Sequence, residues 1–174
     1  MIQEVFRHPE QQGRAKPVDY YQGVVTDYLR ADRSVFVNTE CCIQLNAGDN
    51  PDTSGPHWYC DAVAVSFRRR TVHLCEISYS RSLSALLKRL EGWNSNWTQL
   101  RAALVRDSLI PGDWLVLPWV FIPKDCREAL DRGLARVVNP GGQMPSPEIT
   151  YLEDVVPWKY RSWNRLPEVN PRTA

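Results

Sequence analysis

Asp61, Glu76 and Ser78 carry the side chains whose spacing can bring them together to do chemistry. Asp61 lies in the apolar-rich segment 58–67, and Glu76 and Ser78 lie in 71–78, with Arg68, Arg69 and Arg70 between. Both segments read as strands. Three consecutive arginines sit poorly in a core, so the segments form a hairpin with a solvated tip. A two- or three-residue turn then sets Asp61 opposite Glu76 or Ile77. Side chains alternate along a regular strand, so Asp61, Val63, Val65 and Phe67 share a face, as do Val72, Leu74, Glu76 and Ser78. If the turn aligns the two sets, that face is apolar near the tip and ends in two carboxylates and a hydroxyl. Directly opposed Cβ atoms lie roughly 4.5–5.5 Å apart, a separation that one divalent cation can span. Two buried carboxylates without a cation repel, and one must take up a proton. A hard ion such as Mg²⁺ or Mn²⁺, with oxygen ligands, resolves that conflict. The competing reading is structural: two strand-end acids in water, each paired with an arginine.

The surrounding elements must hold that hairpin. Residues 1–16 are polar and aperiodic, and read as a loose N-terminal arm. Val18, Tyr21, Val24, Val25, Tyr28 and Leu29 recur at helical spacing and predict a helix over 18–31, with Gly23 as its weak point. Residues 34–45 read as the strand before the hairpin. After it, Ser80 or Ser82 can cap a helix whose Leu83, Leu86, Leu87 and Leu90 form one stripe, with Gly92 as its end. A further helix follows to about residue 107. Residues 114–122 form an apolar strand in which Pro118 implies an edge, a bulge or a break. A helix over 124–134, a short strand over 135–138, a Pro/Gly loop and a Trp-rich tail over 149–174 complete the chain. The order α, β, β, β, α, α, β, α, β gives one α/β domain over 17–174 with a mixed sheet flanked by helices.

The segments Trp58-Tyr59-Cys60-Asp61-Ala62-Val63-Ala64-Val65 and Val72-His73-Leu74-Cys75-Glu76-Ile77-Ser78 resemble the core of the PD-(D/E)XK nuclease superfamily, the restriction-endonuclease-like fold. That core runs αβββαβ, with an Asp at the start of the second strand and (Asp/Glu)-x-Lys ending the third. The resemblance covers residues 17–122. It implies divalent-metal-dependent hydrolysis of phosphodiester bonds. Asp61, Glu76 and the backbone carbonyl of Ile77 would hold Mg²⁺ or Mn²⁺, and Ser78, Arg81 or Lys88 would orient the water or the phosphate. Nucleic acid is the implied partner, DNA ahead of RNA, and Arg68, Arg69, Arg70, Arg81 and Lys88 are the candidates for its backbone. A homodimer is one way to cut two strands. Two departures bear on activity. Ser78 stands where the family has Lys, and it brings no charge. The first helix offers no Glu, although Glu40 on the first strand is either an additional acid near the site or a solvent-facing residue. The alternative is a catalytically degenerate nuclease fold that binds nucleic acid or protein, or an interaction protein that oligomerises.

Composition narrows the classes. The chain has 174 residues and a formal net charge of +1, which excludes a globally basic nucleic-acid coater and leaves room for a local patch. No apolar run approaches a membrane span, and the N-terminal residues lack a signal-peptide core, so an intracellular, cytoplasmic domain without a membrane partner is expected. The five cysteines include no C-x-x-C. They read as reduced, buried thiols, and a zinc site from Cys60, Cys75 and His57 or His73 is the sharper alternative. Trp93 and Trp97 are candidates for core packing or for stacking on unpaired bases.

Overall fold

The computed structural model describes residues 20–32, 34–46, 56–108, 110–137 and 143–155. The arm over 1–16 and the tail beyond Val155, with Trp158, Tyr160 and Trp163, lie outside the described residues. The described elements are α1 (Tyr20–Arg30), β1 (Val35–Gln44), β2 (His57–Ser66), β3 (Thr71–Ile77), α2 (Ser84–Ser95), α3 (Trp97–Ser108), β4 (Leu115–Ile122), α4 (Arg127–Val137) and β5 (Glu148–Tyr151). They build an α/β architecture around one mixed sheet of order β1-β2-β3-β4-β5. β1, β2 and β3 pair antiparallel, whereas β4 pairs parallel with β3, and β5 parallel with β4.

Helices cover both faces. On one face Val25 and Leu29 of α1 pack on Val35, Ala62, Ala64, Cys75 and Phe121. On the other, Leu86, Leu90 and Trp93 of α2, Leu100 and Leu104 of α3, and Leu130 of α4 pack on Val63, Leu74, Val116 and Val120. Trp93 and Trp97 are buried in this second core, so packing accounts for both rings. α1 turns into β1 through Asp32, whose Oδ1 accepts from the Ser34 N–H at 2.9 Å and whose carbonyl accepts from the Val35 N–H at 3.1 Å. Among the described residues no helix is long and apolar enough to cross a membrane.

The two strand faces align as expected, with Val63 paired to Leu74, Val65 to Val72 and Ser66 to Thr71, but the turn takes four residues, 67–70, rather than two or three, and Phe67 leaves the strand. Regular alternation fails at one place. Val63 faces the α2–α3 core, yet Cys60 belongs to that core too and Trp58 packs against it, so the facing reverses on the N-terminal side of Asp61. β1 reverses at the same level. Val35 and Val37 face α1, whereas Cys41 and Ile43 face the other core. The hinge of this reversal is Glu40, which has φ 54° and interrupts the ladder between Thr39↔Ala62 and Cys41↔Cys60.

Three further expectations are corrected. α2 is not capped by Ser80 or Ser82; it starts at Ser84, with Leu83 at the capping position at φ 50°. Leu83 is 1% exposed, and burying its side chain offsets the cost of that backbone conformation. Gly92 lies inside α2 rather than at its end, because the Trp58 indole lies against it. Residues 135–137 continue α4 instead of forming a strand, since Leu130, Gly133, Leu134 and Val137 fall on one helical stripe. The last strand comes later, at Glu148–Tyr151. Pro118 is tolerated because β5 first pairs at Trp119, leaving β4 unpaired on that side at the proline.

Candidate functional site: a carboxylate pair bridged by an arginine

The β2–β3 ladder ends at Ala62↔Cys75, and one further step of the same register sets Asp61 against Glu76. The two acids therefore occupy the end of the hairpin away from its turn. Asp61 Oδ2 accepts the backbone N–H of Ile77 at 2.7 Å, which ties β2 to the last residue of β3. Glu76 is 2% exposed, because the sheet and α2 enclose it. α2 also supplies its counter-ion. Arg89 Nη1 donates to Glu76 Oε2 at 2.5 Å and lies 3.6 Å from Asp61 Oδ1. One guanidinium thus bridges both carboxylates. The other oxygen of Glu76, Oε1, is buried without a hydrogen-bond partner.

The electrostatics follow from this enclosure. Burial pushes the Glu76 carboxyl up to about 8, the charge of Asp61 adds to the rise, and Arg89 works against it. Burial by itself lowers the Arg89 guanidinium, but Glu76 and Asp61 outweigh it and hold Arg89 above its ordinary value. Two acids share one half-buried arginine, and one oxygen of Glu76 faces no donor. Hard oxygen ligands in such a place suit a small divalent cation.

The other expected members are distributed unevenly. Ser78 follows directly, half-buried, and its backbone N–H donates to the Phe121 carbonyl at 2.9 Å. Exposed Tyr79 stacks on Tyr21 of α1 with ring centroids 5.4 Å apart. Arg81 is not in the site; it is 90% exposed and pairs with Asp125 at 3.6 Å. Lys88 lies exposed on α2. The basic residue that enters is Arg89, between the buried Leu86 and Leu90 and on the flank of their stripe. Arg81 precedes α2, which starts at Ser84, and Lys88 lies off the stripe, where a helical residue faces water. Arg68, Arg69 and Arg70 are exposed at the opposite end of the hairpin, where Arg70 pairs with Asp113 at 3.0 Å.

Glu40 stands opposite Asp61 in register but is exposed, and among the described residues no three His, Cys, Asp or Glu side chains converge. The zinc alternative fails on geometry, since Cys60 and Cys75 belong to cores on opposite faces of the sheet. His73 is buried on the face away from Glu76, with its ring 5.0 Å from Trp119 and its Nε2 3.7 Å from Glu148 Oε2. His57, at the start of β2, packs edge-on against Tyr59 at 5.1 Å. No protein-family model matches the chain, and no curated protein matches it.

Proposed function

We propose that the chain is a divalent-metal-dependent nuclease of the PD-(D/E)XK type that hydrolyses phosphodiester bonds in DNA. The observation that carries this reading is the pairing of half-buried Asp61 with buried Glu76 at the open end of two antiparallel strands, with Glu76 Oε1 facing no donor. The succession of one helix, three antiparallel strands, helices and a parallel fourth strand supports it. Asp61, Glu76 and the carbonyl of Ile77 would hold Mg²⁺ or Mn²⁺, which supplies a Lewis acid for the phosphoryl group. Arg89 takes the part of the family's lysine as a fixed positive charge that attracts and orients the scissile phosphate. It stays protonated and so cannot serve as a base. The Ser78 hydroxyl, next along the chain, orients water. Tyr79 and Tyr21 offer an aromatic face at the same end of the sheet for an unpaired base.

A second reading rests on the 2.5 Å contact between Arg89 and Glu76. In it the guanidinium is the permanent counter-ion, and the fold binds nucleic acid without cutting it. Calorimetric titration with Mn²⁺ separates the two. The nuclease reading expects binding by the wild type that is lost in Asp61→Asn and Glu76→Gln, with Mn²⁺-dependent cleavage of DNA lost in the same variants. If the wild type binds no Mn²⁺ with or without DNA, while Arg89→Ala does, the arginine is the resident cation and the second reading stands.

A further inference from the structure

β1 and β2 carry a pair of thiols directly across from each other. Cys41 pairs with Cys60 in the antiparallel register, one step beyond the Glu40 hinge. The local reversal of facing points both side chains into the same core, Cys60 as a member and Cys41 packed against it. Directly opposed residues have Cα atoms roughly 4.5–5.5 Å apart, inside the range a disulfide bridges. The thiols already interact. The Cys60 thiol hydrogen-bonds Cys41 and lowers it, against the opposing effect of burial and with the Asn38 side chain assisting, while that same pairing and burial hold Cys60 well above the ordinary thiol value, so Cys41 is the one that ionises first. Cys60 Sγ also lies 3.8 Å from the Cys41 carbonyl.

Access is asymmetric. Cys60 is 1% exposed, whereas Cys41 lines an open groove of about 440 Å³ with Val63, Val65, Leu104, Ile110 and Trp114. A small uncharged oxidant can therefore meet Cys41 and not Cys60. The remaining thiols are placed differently. Cys42 alternates to the outside opposite Tyr59, Cys75 is buried in the core beneath α1, and Cys126 lies at the start of α4.

We propose that Cys41 and Cys60 are a peroxide-responsive dithiol, with Cys41 as the attacking thiol and Cys60 as the resolving one. The Cys41 thiolate attacks one oxygen of hydrogen peroxide and the O–O bond breaks. Hydroxide leaves and takes up a proton as water, and Cys41 becomes a sulfenic acid. Cys60 then gives up its proton and attacks the Cys41 sulfur. The S–O bond breaks and a second water leaves. Two thiols and one peroxide become one disulfide and two waters, with the sulfurs oxidised by two electrons and the peroxide reduced by two. The closed bond ties β1 to β2 beside the Glu40–Asp61 level. Opposed strand Cβ atoms lie wider apart than in a relaxed disulfide, so the bond is readily reduced again. This dithiol stands independently of whether the carboxylate pair takes a metal.

The test is titration of the reduced full chain with hydrogen peroxide, followed by alkylation of remaining thiols, intact mass and peptide mapping under non-reducing conditions. The expected result is loss of two alkylatable thiols per chain, a Cys41–Cys60 cross-linked peptide, and recovery of both thiols with dithiothreitol. Cys42→Ser should form the same cross-link. Cys60→Ser should stop at a Cys41 sulfenic acid that dimedone traps. A cross-link through Cys42 or between chains, or Cys41 oxidised to the sulfinic acid while Cys60 remains alkylatable, overturns the proposal. If Cys60→Ser does not fold, the wild-type peptide map decides alone.

Discussion

Glu76 is the residue at which enclosure and charge meet, and its protonation has a consequence for stability that needs no metal. Its carboxyl sits at about 8 in the folded protein against an ordinary value of 4.5. Between those two values the native state binds more protons than the unfolded chain, so stability falls as pH rises. Below the lower value both states are protonated and the effect is absent; above the upper one the penalty is complete. A tenfold difference in proton affinity between the two states is worth about 1.4 kcal/mol, which makes the loss across the window a few kcal/mol. Glu76→Gln stays neutral and loses this slope. Urea unfolding at pH 5 and pH 8 should show the variant gaining on the metal-free wild type at the higher pH. An equal difference at both would mean that Glu76 is ionised throughout. The approach of Asp61 to Glu76 was legible to within one residue, because strand alternation is regular but the length of the turn left Asp61 opposite either Glu76 or Ile77. Arg89 was not, because its reach depends on the rotation of α2 about its own axis. The signal that could have found it is its place between Leu86 and Leu90, where a long side chain on the flank of a buried stripe reaches the sheet.

Among the elements, two glycines in helices pose the same question and receive opposite answers. Gly23 in α1 has open space where a Cβ would go, so Gly23→Ala should stabilise by about 0.5–1 kcal/mol through helix propensity alone. Gly92 in α2 has the Trp58 ring in that space. Ala there must displace a side chain of the core, at about 1–3 kcal/mol, which outweighs the gain in propensity. Thermal unfolding of the two variants should shift in opposite directions. Two shifts upward would show that Trp58 yields freely. Gly92 reads from sequence as a helix end because the packing of a distant tryptophan leaves no local trace. The strand expected over 135–138 fails for the reverse reason. The helical stripe of α4 continues through Val137, and a few apolar residues after a helix are ambiguous in period. The β2–β3 pairing was legible because a short connection forces neighbouring strands together. The reversal of facing at Glu40 was not, since nothing in Thr39-Glu40-Cys41 announces a left-handed backbone.

Over the whole molecule, Arg89 enters the carboxylate site, whereas the three arginines of the hairpin tip stand far from it. Asp61 and Ser66 are five residues apart along β2, and at about 3.3 Å per residue the hairpin tip is roughly 16 Å from the acids. Arg68, Arg69 and Arg70 therefore lie about five base pairs from a phosphate held at Glu76, given roughly 3.4 Å per step. On the nuclease reading they add affinity for a long duplex and nothing to the chemical step. The triple variant Arg68→Ala, Arg69→Ala, Arg70→Ala should keep its kcat/KM on a substrate of a few nucleotides. With a long duplex, its binding should depend less steeply on salt. Each phosphate contact contributes about 0.9 to the slope of log K against log salt, and Arg70 is held by Asp113, so a fall of about 2 is expected. Loss of activity on the short substrate would mean that the tip reaches the reacting phosphate, against the length of β2. An unchanged slope would mean that the arginines serve the turn itself, where charge on an exposed hairpin discourages pairing with other chains.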